Sequence, residues 1–390
     1  MRRAALVLAL ASLLCGELVS AQLSLGSGQP PHPAGVSGLA CGPNASVEGT
    51  AVTVVPSGGD DSATLQCVLD GVRALGVRHI RLAAGSFHAV SLVATAFHGR
   101  LSGAGEDRTV IENPPGQAYV TPVDFLSAPP GPDNPWPSFV AFVDGDFVVS
   151  DLSLKATGVP TTGWSLNGMG PIHALAHGFV IVGSEAHASF ERVAIAAEAM
   201  PPELNAGMWG TTIFNGIYFE GVVAAGLPLF TPLKGSFAVR NSIFLNMADG
   251  TPSSNLSDAK VMILGNTFSG IGAASDTDDL VNSTYLFANN RVVDAQWYGF
   301  MHYDYCLGAA ANCGTTGSTI SIVGNDFGSS VEGVLIDGTL GAENGCLVAG
   351  NKAAGVADMA VFLGPGTAGC QVVSDGSVVD LGTGNRVVRQ

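Results

Sequence analysis

Carboxylic acids recur in three short stretches of this sequence: SDTDDLVNS (275–283), GFMHYD (299–304) and GVLIDG (333–338). Paired carboxyls are the chemistry of glycoside hydrolysis. One protonates the leaving oxygen while the other attacks carbon or activates water, at about 5–5.5 Å for retention and ~6.5–9.5 Å for inversion. Asp278, Asp279, Asp304 and Asp337 are the candidates for those roles. Crowding of like charges would raise at least one pKa toward that of a working acid. The same oxygens suit calcium, with Asp276, Asp278 and Asp304 as candidate ligands. The plain alternative for 276–279 is a solvated turn. Tyr218, Glu220, His302 and Tyr303 are the candidate substrate contacts, the tyrosines as faces on which sugar rings stack. His302 lies in the inward phase of its strand and reads equally as a core imidazole. His173 and His177 of the HALAH run precede a strand and lack the geometry of a helical metal pair.

These acids meet only if the strands that carry them stack. GFVIVG (178–183), GIYFEG (216–221), GFMHYD, GVLIDG and MAVFLG (359–364) share one pattern. Alternation turns Phe179, Ile181, Ile217, Phe219, Phe300, His302, Val334, Ile336, Val361 and Leu363 inward. Val180, Val182, Tyr218, Glu220, Met301, Tyr303, Leu335 and Asp337 then face out.

A second repeat supplies the stacking. Asn241 in FAVRNSI, Asn266 in MILGNTF, Asn290 in LFANNRV, Asn325 in SIVGNDF and Asn351 in LVAGNKA each sit between apolar residues in the inward phase. Their separations are 25, 24, 35 and 26 residues. A buried amide costs a few kcal/mol unless it is bonded. A period in the twenties predicts a solenoid, whose strands lie ~4.8 Å apart, so each amide can bond its equivalents above and below. The count places two further turns between 216–221 and 299–304, the later one through 275–283. Asp276, Asp278 and Asp279 then lie one turn from Asp304, and Asp304 one turn from Asp337. The longer spacing of 35 holds a loop closed by Cys306 and Cys313, placed to wall a groove.

Arg2 and Arg3, the apolar run AALVLALASLL and VSA before Gln22 read as a secretory signal peptide over 1–21, too short for a ~20-residue span. Six cysteines follow it, an even number that favours disulfides in a secreted chain. Cys346 and Cys370 stand 24 residues apart, one turn of the repeat, and are expected to pair. Cys306–Cys313 closes the short loop, and Cys41–Cys67 remains by elimination. Residues 22–45 are a Gly/Pro/Ser-rich leader, and 46–390 the repeat domain. Leu65, Val68, Leu69 and Val72 form a helical stripe capped by Asp61 or Ser62, closing the first strands' open end. The Pro-rich stretch 114–138 is an excursion, and 197–211 and 222–235 are long connections. Asn44, Asn255 and Asn282 are N-glycosylation sequons. Sixteen basic against 32 acidic residues give a net charge of −16, which argues against nucleic acid and anionic membrane surfaces as partners.

DDSATLQ, RLAAGSF, RLSGAGEDRTVIE and FVVSDLSL resemble the opening of right-handed parallel β-helix proteins of the pectin-lyase-like superfamily. VVDLGTGNRVV looks like the closing turns of many members. The resemblance covers roughly residues 50–390 and implies an all-β, single-stranded right-handed parallel β-helix with a short N-terminal capping helix. It transfers no catalytic residue. Polygalacturonases of this fold carry NTD, paired-Asp, GHG and RIK segments, and SDTDDL is only loosely similar to the first two, while GHG and RIK are absent. Pectate lyases add a catalytic arginine to calcium-binding acids, and no arginine occupies the outward positions above. The expected role is cleavage or binding of an extracellular polysaccharide or cell-wall glycan by a monomer; the alternative is a non-catalytic adhesion or structural protein.

Overall fold

The computed structural model describes residues 41–114, 138–157, 175–197, 213–223, 230–303, 317–337 and 343–389. A buried amide column runs along one corner. Asn266 Nδ2 donates to Asn290 Oδ1 (3.0 Å), Asn290 Nδ2 to Asn325 Oδ1 (3.0 Å), and Asn325 Nδ2 to Asn351 Oδ1 (2.9 Å). Each Oδ1 also accepts the backbone N–H of the preceding amide in the column. Each Nδ2 also donates to a backbone carbonyl one rung back, such as Ile263 O for Asn290 and Phe287 O for Asn325. The amides therefore satisfy one another where water cannot reach, as the repeat required.

Asn241 is a correction. Its side chain is exposed and its φ is 51°, while Ser242 takes the buried place and its N–H donates to Asn266 Oδ1. The residue before each column member is left-handed: Asn241, Gly265 (66°), Asn289 (55°), Gly324 (69°) and Gly350 (65°). Asparagine and glycine are the residues that take this conformation at least cost. The recurring unit is thus a left-handed Asn/Gly followed by the buried polar residue.

The strands on either side pair in parallel, each with its counterpart one repeat away. Leu233–Arg240, Ser253–Leu264, Thr284–Ala288, Thr319–Val323, Cys346–Ala349, Gln371–Ser374 and Arg386–Arg389 form one column in that order. Ile243–Asp249, Thr267–Ala273 and Arg291–Val293 belong to a second. A third runs from 138–143 through 177–183, 215–221, 253–254, Asp276–Val281, Tyr298–Tyr303, Glu332–Asp337, Val361–Leu363 and Val378–Asp380. Side chains turned into the space between columns make one continuous core, with aromatic neighbours such as Phe244 and Phe268 stacked at 4.8 Å. The inward residues expected of the third column all lie in it, and His302 is fully buried among them.

The helix Ser62–Leu75 buries Leu65, Val68, Leu69 and Val72 and ends at Gly76, whose φ of 68° closes it. Leu65 and Leu69 share a small apolar cavity with Ile80, Leu82, Leu92, Leu101, Ile111 and Val140, so the helix sits on the first strands. Asp61 does not cap the helix through its side chain. Its carboxyl instead accepts the N–H groups of Ser57 and His88, tying the preceding loop to Gly85–His88. Cys41–Cys67 and Cys346–Cys370 are disulfides, with Cα separations of 5.5 and 4.4 Å. The second joins adjacent rungs, as its spacing predicts. Cys306 and Cys313, the signal segment, nearly all of the leader and most of the Pro-rich excursion lie outside the described residues. Among the described residues no helix is long and apolar enough to cross a membrane.

Candidate functional site: an acidic face

The third column carries the acids on its outward side. Its register sets Val182, Glu220, Ser254, Asp278, Tyr303 and Asp337 side by side along successive rungs. A neighbouring row holds Val180 and Tyr218, and further on Asp276, Met301 and Leu335. A third row holds His177, Asn215, Asp249, Ala273, Tyr298 and Glu332. Six carboxyls therefore share one face, Glu220, Asp249, Asp276, Asp278, Glu332 and Asp337, with Asp279 at the corner next to Asp278. At its start the face is apolar, where Ala141, Val143, Val180 and Val182 pack together with Tyr218 against them.

Burial and mutual repulsion control the acids' titration. Burial pushes the Glu220 carboxyl up to about 8, opposed by hydrogen bonds from Tyr218 and Asn255. Asp249 is pushed up to about 7 by burial and by Asp278. Asp276 is held well above the carboxylate range by burial and by Asp249, and Asp278 by burial, Asp276 and Asp279. His302, behind them in the core, pulls both of the latter down. Asp276 and Asp278 are only partly buried, whereas Glu220, Asp249 and Asp279 are buried.

A hydrogen-bond network crosses the rungs. Asn255 Nδ2 donates to Glu220 Oε1 at 3.0 Å. Tyr218 Oη donates to Ser254 Oγ, and Ser254 Oγ to Asp278 Oδ2, each at 3.2 Å. The ring of Tyr218 stacks on His177, with centroids 5.0 Å apart.

Several sequence expectations change here. Residues 276–279 are not a solvated turn: Asp276–Val281 is a strand, and Asp279 is a buried corner residue with φ 47°. Tyr218 has one ring face taken by His177 and its hydroxyl engaged, so it is not an open sugar platform. His302 is fully buried on the inward side and is not presented to a polymer. Tyr303 is exposed at 38%, one rung from both Asp278 and Asp337. Asp304 and His173 lie outside the described residues. The sequon residue Asn255 is partly buried with its amide held by Glu220, while Asn282 is exposed and Asn44 half-exposed. Sequence reasoning passed over Asp249, Ser254 and Asn255 as parts of the site. The available signal was spacing, and only for Ser254, which precedes Asp278 by one repeat of 24 residues.

Among the described residues no group of three or more acid, histidine or cysteine side chains is arranged to hold a metal ion. Of the candidate calcium ligands, Asp276 and Asp278 are partly buried, Asp278 accepts a hydrogen bond from Ser254, and Asp304 lies outside the described residues.

No family model and no curated protein matches the chain. Among solved structures it is similar to the A-module of the Azotobacter vinelandii mannuronan C-5 epimerase AlgE6, at 15% identity over 85% of this chain and 83% of that one, TM-score 0.38. It is also similar to PfbA, a surface adhesin of Streptococcus pneumoniae, at 11% identity over 85% and 88%, TM-score 0.39. A third is the catalytic unit of a GH87 α-1,3-glucanase from Streptomyces thermodiastaticus, at 13% identity over 93% and 70%, TM-score 0.28. Likeness at this level carries no argument about activity, and the fold rests on the strand register itself. With parallel strand columns laid rung upon rung and a buried amide ladder at their corner, the described residues fold as a parallel β-helix.

Proposed function

We propose that the chain is a secreted, single-stranded right-handed β-helix protein that binds an extracellular polysaccharide along its acidic face and hydrolyses it by acid–base catalysis. One observation carries this reading. Asp276 and Asp278 are partly exposed and stand two residues apart on the same side of one strand, and Asp276 raises the proton affinity of Asp278. Two residues of strand separate their Cα atoms by about 6.7 Å, a spacing from which both carboxyls can address one glycosidic bond. Asp278 is the acid and Asp276 the base that activates water. The exposed ring of Tyr303 offers a sugar platform beside them. A face whose nearest charges are other carboxyls repels anionic chains, so the preferred substrate is a neutral polymer. The two disulfides suit an extracellular setting.

The test is a panel of neutral and uronic polysaccharides with the unaltered chain and Asp278→Asn. New reducing ends from a neutral polymer, lost in the variant with its melting temperature unchanged, are expected. Undiminished turnover by the variant would remove Asp278 from the mechanism. Retention on a polymer without products in the unaltered chain would establish the glycan-binding alternative.

A further inference from the structure

Two hydroxyls lie between Glu220 and Asp278. Glu220 bonds Tyr218, Tyr218 Oη donates to Ser254 Oγ at 3.2 Å, and Ser254 Oγ donates to Asp278 Oδ2 at 3.2 Å. The chain of bonds spans two rungs, about 9.6 Å along the column, and its donors point one way when Glu220 is protonated and donates to Tyr218 Oη. The first two members are also held from outside the chain of bonds. Asn255 Nδ2 holds Glu220 Oε1 at 3.0 Å, and the stack on His177 holds the Tyr218 ring.

We propose that Tyr218 and Ser254 are a two-hydroxyl proton relay through which Glu220 and Asp278 share one proton. Glu220 gives its proton to Tyr218 Oη, which passes its own to Ser254 Oγ, which passes its own to Asp278 Oδ2. Both hydroxyls end neutral, Glu220 ends as the carboxylate and Asp278 as the acid. The reverse transfer runs through the same bonds. Glu220 is buried and Asp278 partly open. Protons therefore enter at Asp278 while the face is empty and are stored on Glu220. Once a polymer covers the face, Glu220 is the source that reloads Asp278. The groups facing Glu220 are Tyr218, Asn255, Asp278 and Asp279; those facing Asp278 are Ser254, Asp276, Asp279 and His302. Their direct charge effects do not pass through a neutral hydroxyl, and this separates relay from simple repulsion.

The relay's catalytic use rests on the hydrolytic reading, but its existence does not, so the test needs no substrate. Carbon-13 carboxyl resonances of Glu220 and Asp278 are followed against pH in the full chain and in Tyr218→Phe, Ser254→Ala and the double variant. Tyr218→Phe is expected to move the Asp278 midpoint by about 0.5 pH unit when residue 254 is serine and not when it is alanine. Ser254→Thr keeps the hydroxyl and is expected to preserve the response. An equal shift in both backgrounds, or none in either, overturns the relay. If Tyr218→Phe unfolds because the His177 stack is disturbed, Ser254→Ala against Ser254→Thr decides alone. Alanine must then alter the Glu220 curve and threonine must not; identical Glu220 curves overturn the proposal. Normal titration coupling in a chain that cleaves nothing would refute hydrolysis while leaving the relay standing.

Discussion

Replacing Glu220 with glutamine should make the protein's stability less sensitive to pH. In the folded chain the carboxyl titrates at about 8 against an ordinary 4.5, with burial as the main cause. The folded state therefore holds a proton that the unfolded state releases between those values. The contribution is fully present below about pH 4.5 and is lost as pH rises toward 8. At ~1.4 kcal/mol per pH unit the loss has a ceiling of about 5 kcal/mol, and water entry at the rim will lower it to about 2–5 kcal/mol. Glutamine keeps the acceptor for Asn255 Nδ2 and carries no charge at any pH. Melting temperatures of the two chains, measured from pH 4 to pH 9, should nearly coincide at the acid end. They should diverge above pH 6, the variant melting several degrees higher by pH 9, at ~2 °C or more per kcal/mol. Asp249, Asp276 and Asp278 still titrate in the variant, so some slope remains and the difference between chains is the informative quantity. Parallel profiles across that range would show that Glu220 ionises normally, and the argument for a proton-storing face would fail.

Three further outcomes test the frame and the surface. Asn290→Ala strands the amide and backbone N–H of Asn266 and the carbonyl of Ile263 in the core. It should cost about 3–5 kcal/mol by urea unfolding, more than an exposed Asn241→Ala, which should cost about 1 kcal/mol for placing alanine in a left-handed backbone. Cys346→Ser with Cys370→Ser removes a bridge closing 24 residues and should lower stability by about 3 kcal/mol; an unchanged urea midpoint would show that the bridge adds nothing. Tyr303→Ala should weaken retention on the preferred polysaccharide about tenfold while leaving the melting temperature within a degree or so. Unchanged binding would exclude Tyr303 as a sugar contact.

Repetition made much of this protein readable from its residues. The amides at 266, 290, 325 and 351 recur at 24, 35 and 26 residues, the longer interval holding an inserted loop, and a buried column is the arrangement that satisfies them all. The same count brought Asp276 and Asp278 one rung from the 298–303 strand and joined Cys346 to Cys370. Alternation gave the inward side of each strand correctly, including His302. What the tertiary structure alone decided lies at the corners. A left-handed residue interrupts the two-residue period, so side-chain direction beyond it cannot be counted forward. This displaced Asn241 by one position in favour of Ser242, and it turned Asp279 into a buried corner. Asn255 was legible as a sequon and Asp249 was passed over, and the roles of both come from acids one rung away. A carboxyl's proton affinity depends on which low-dielectric walls and which other charges surround it, and those neighbours are distant along the chain and are assembled only when the rungs close upon one another.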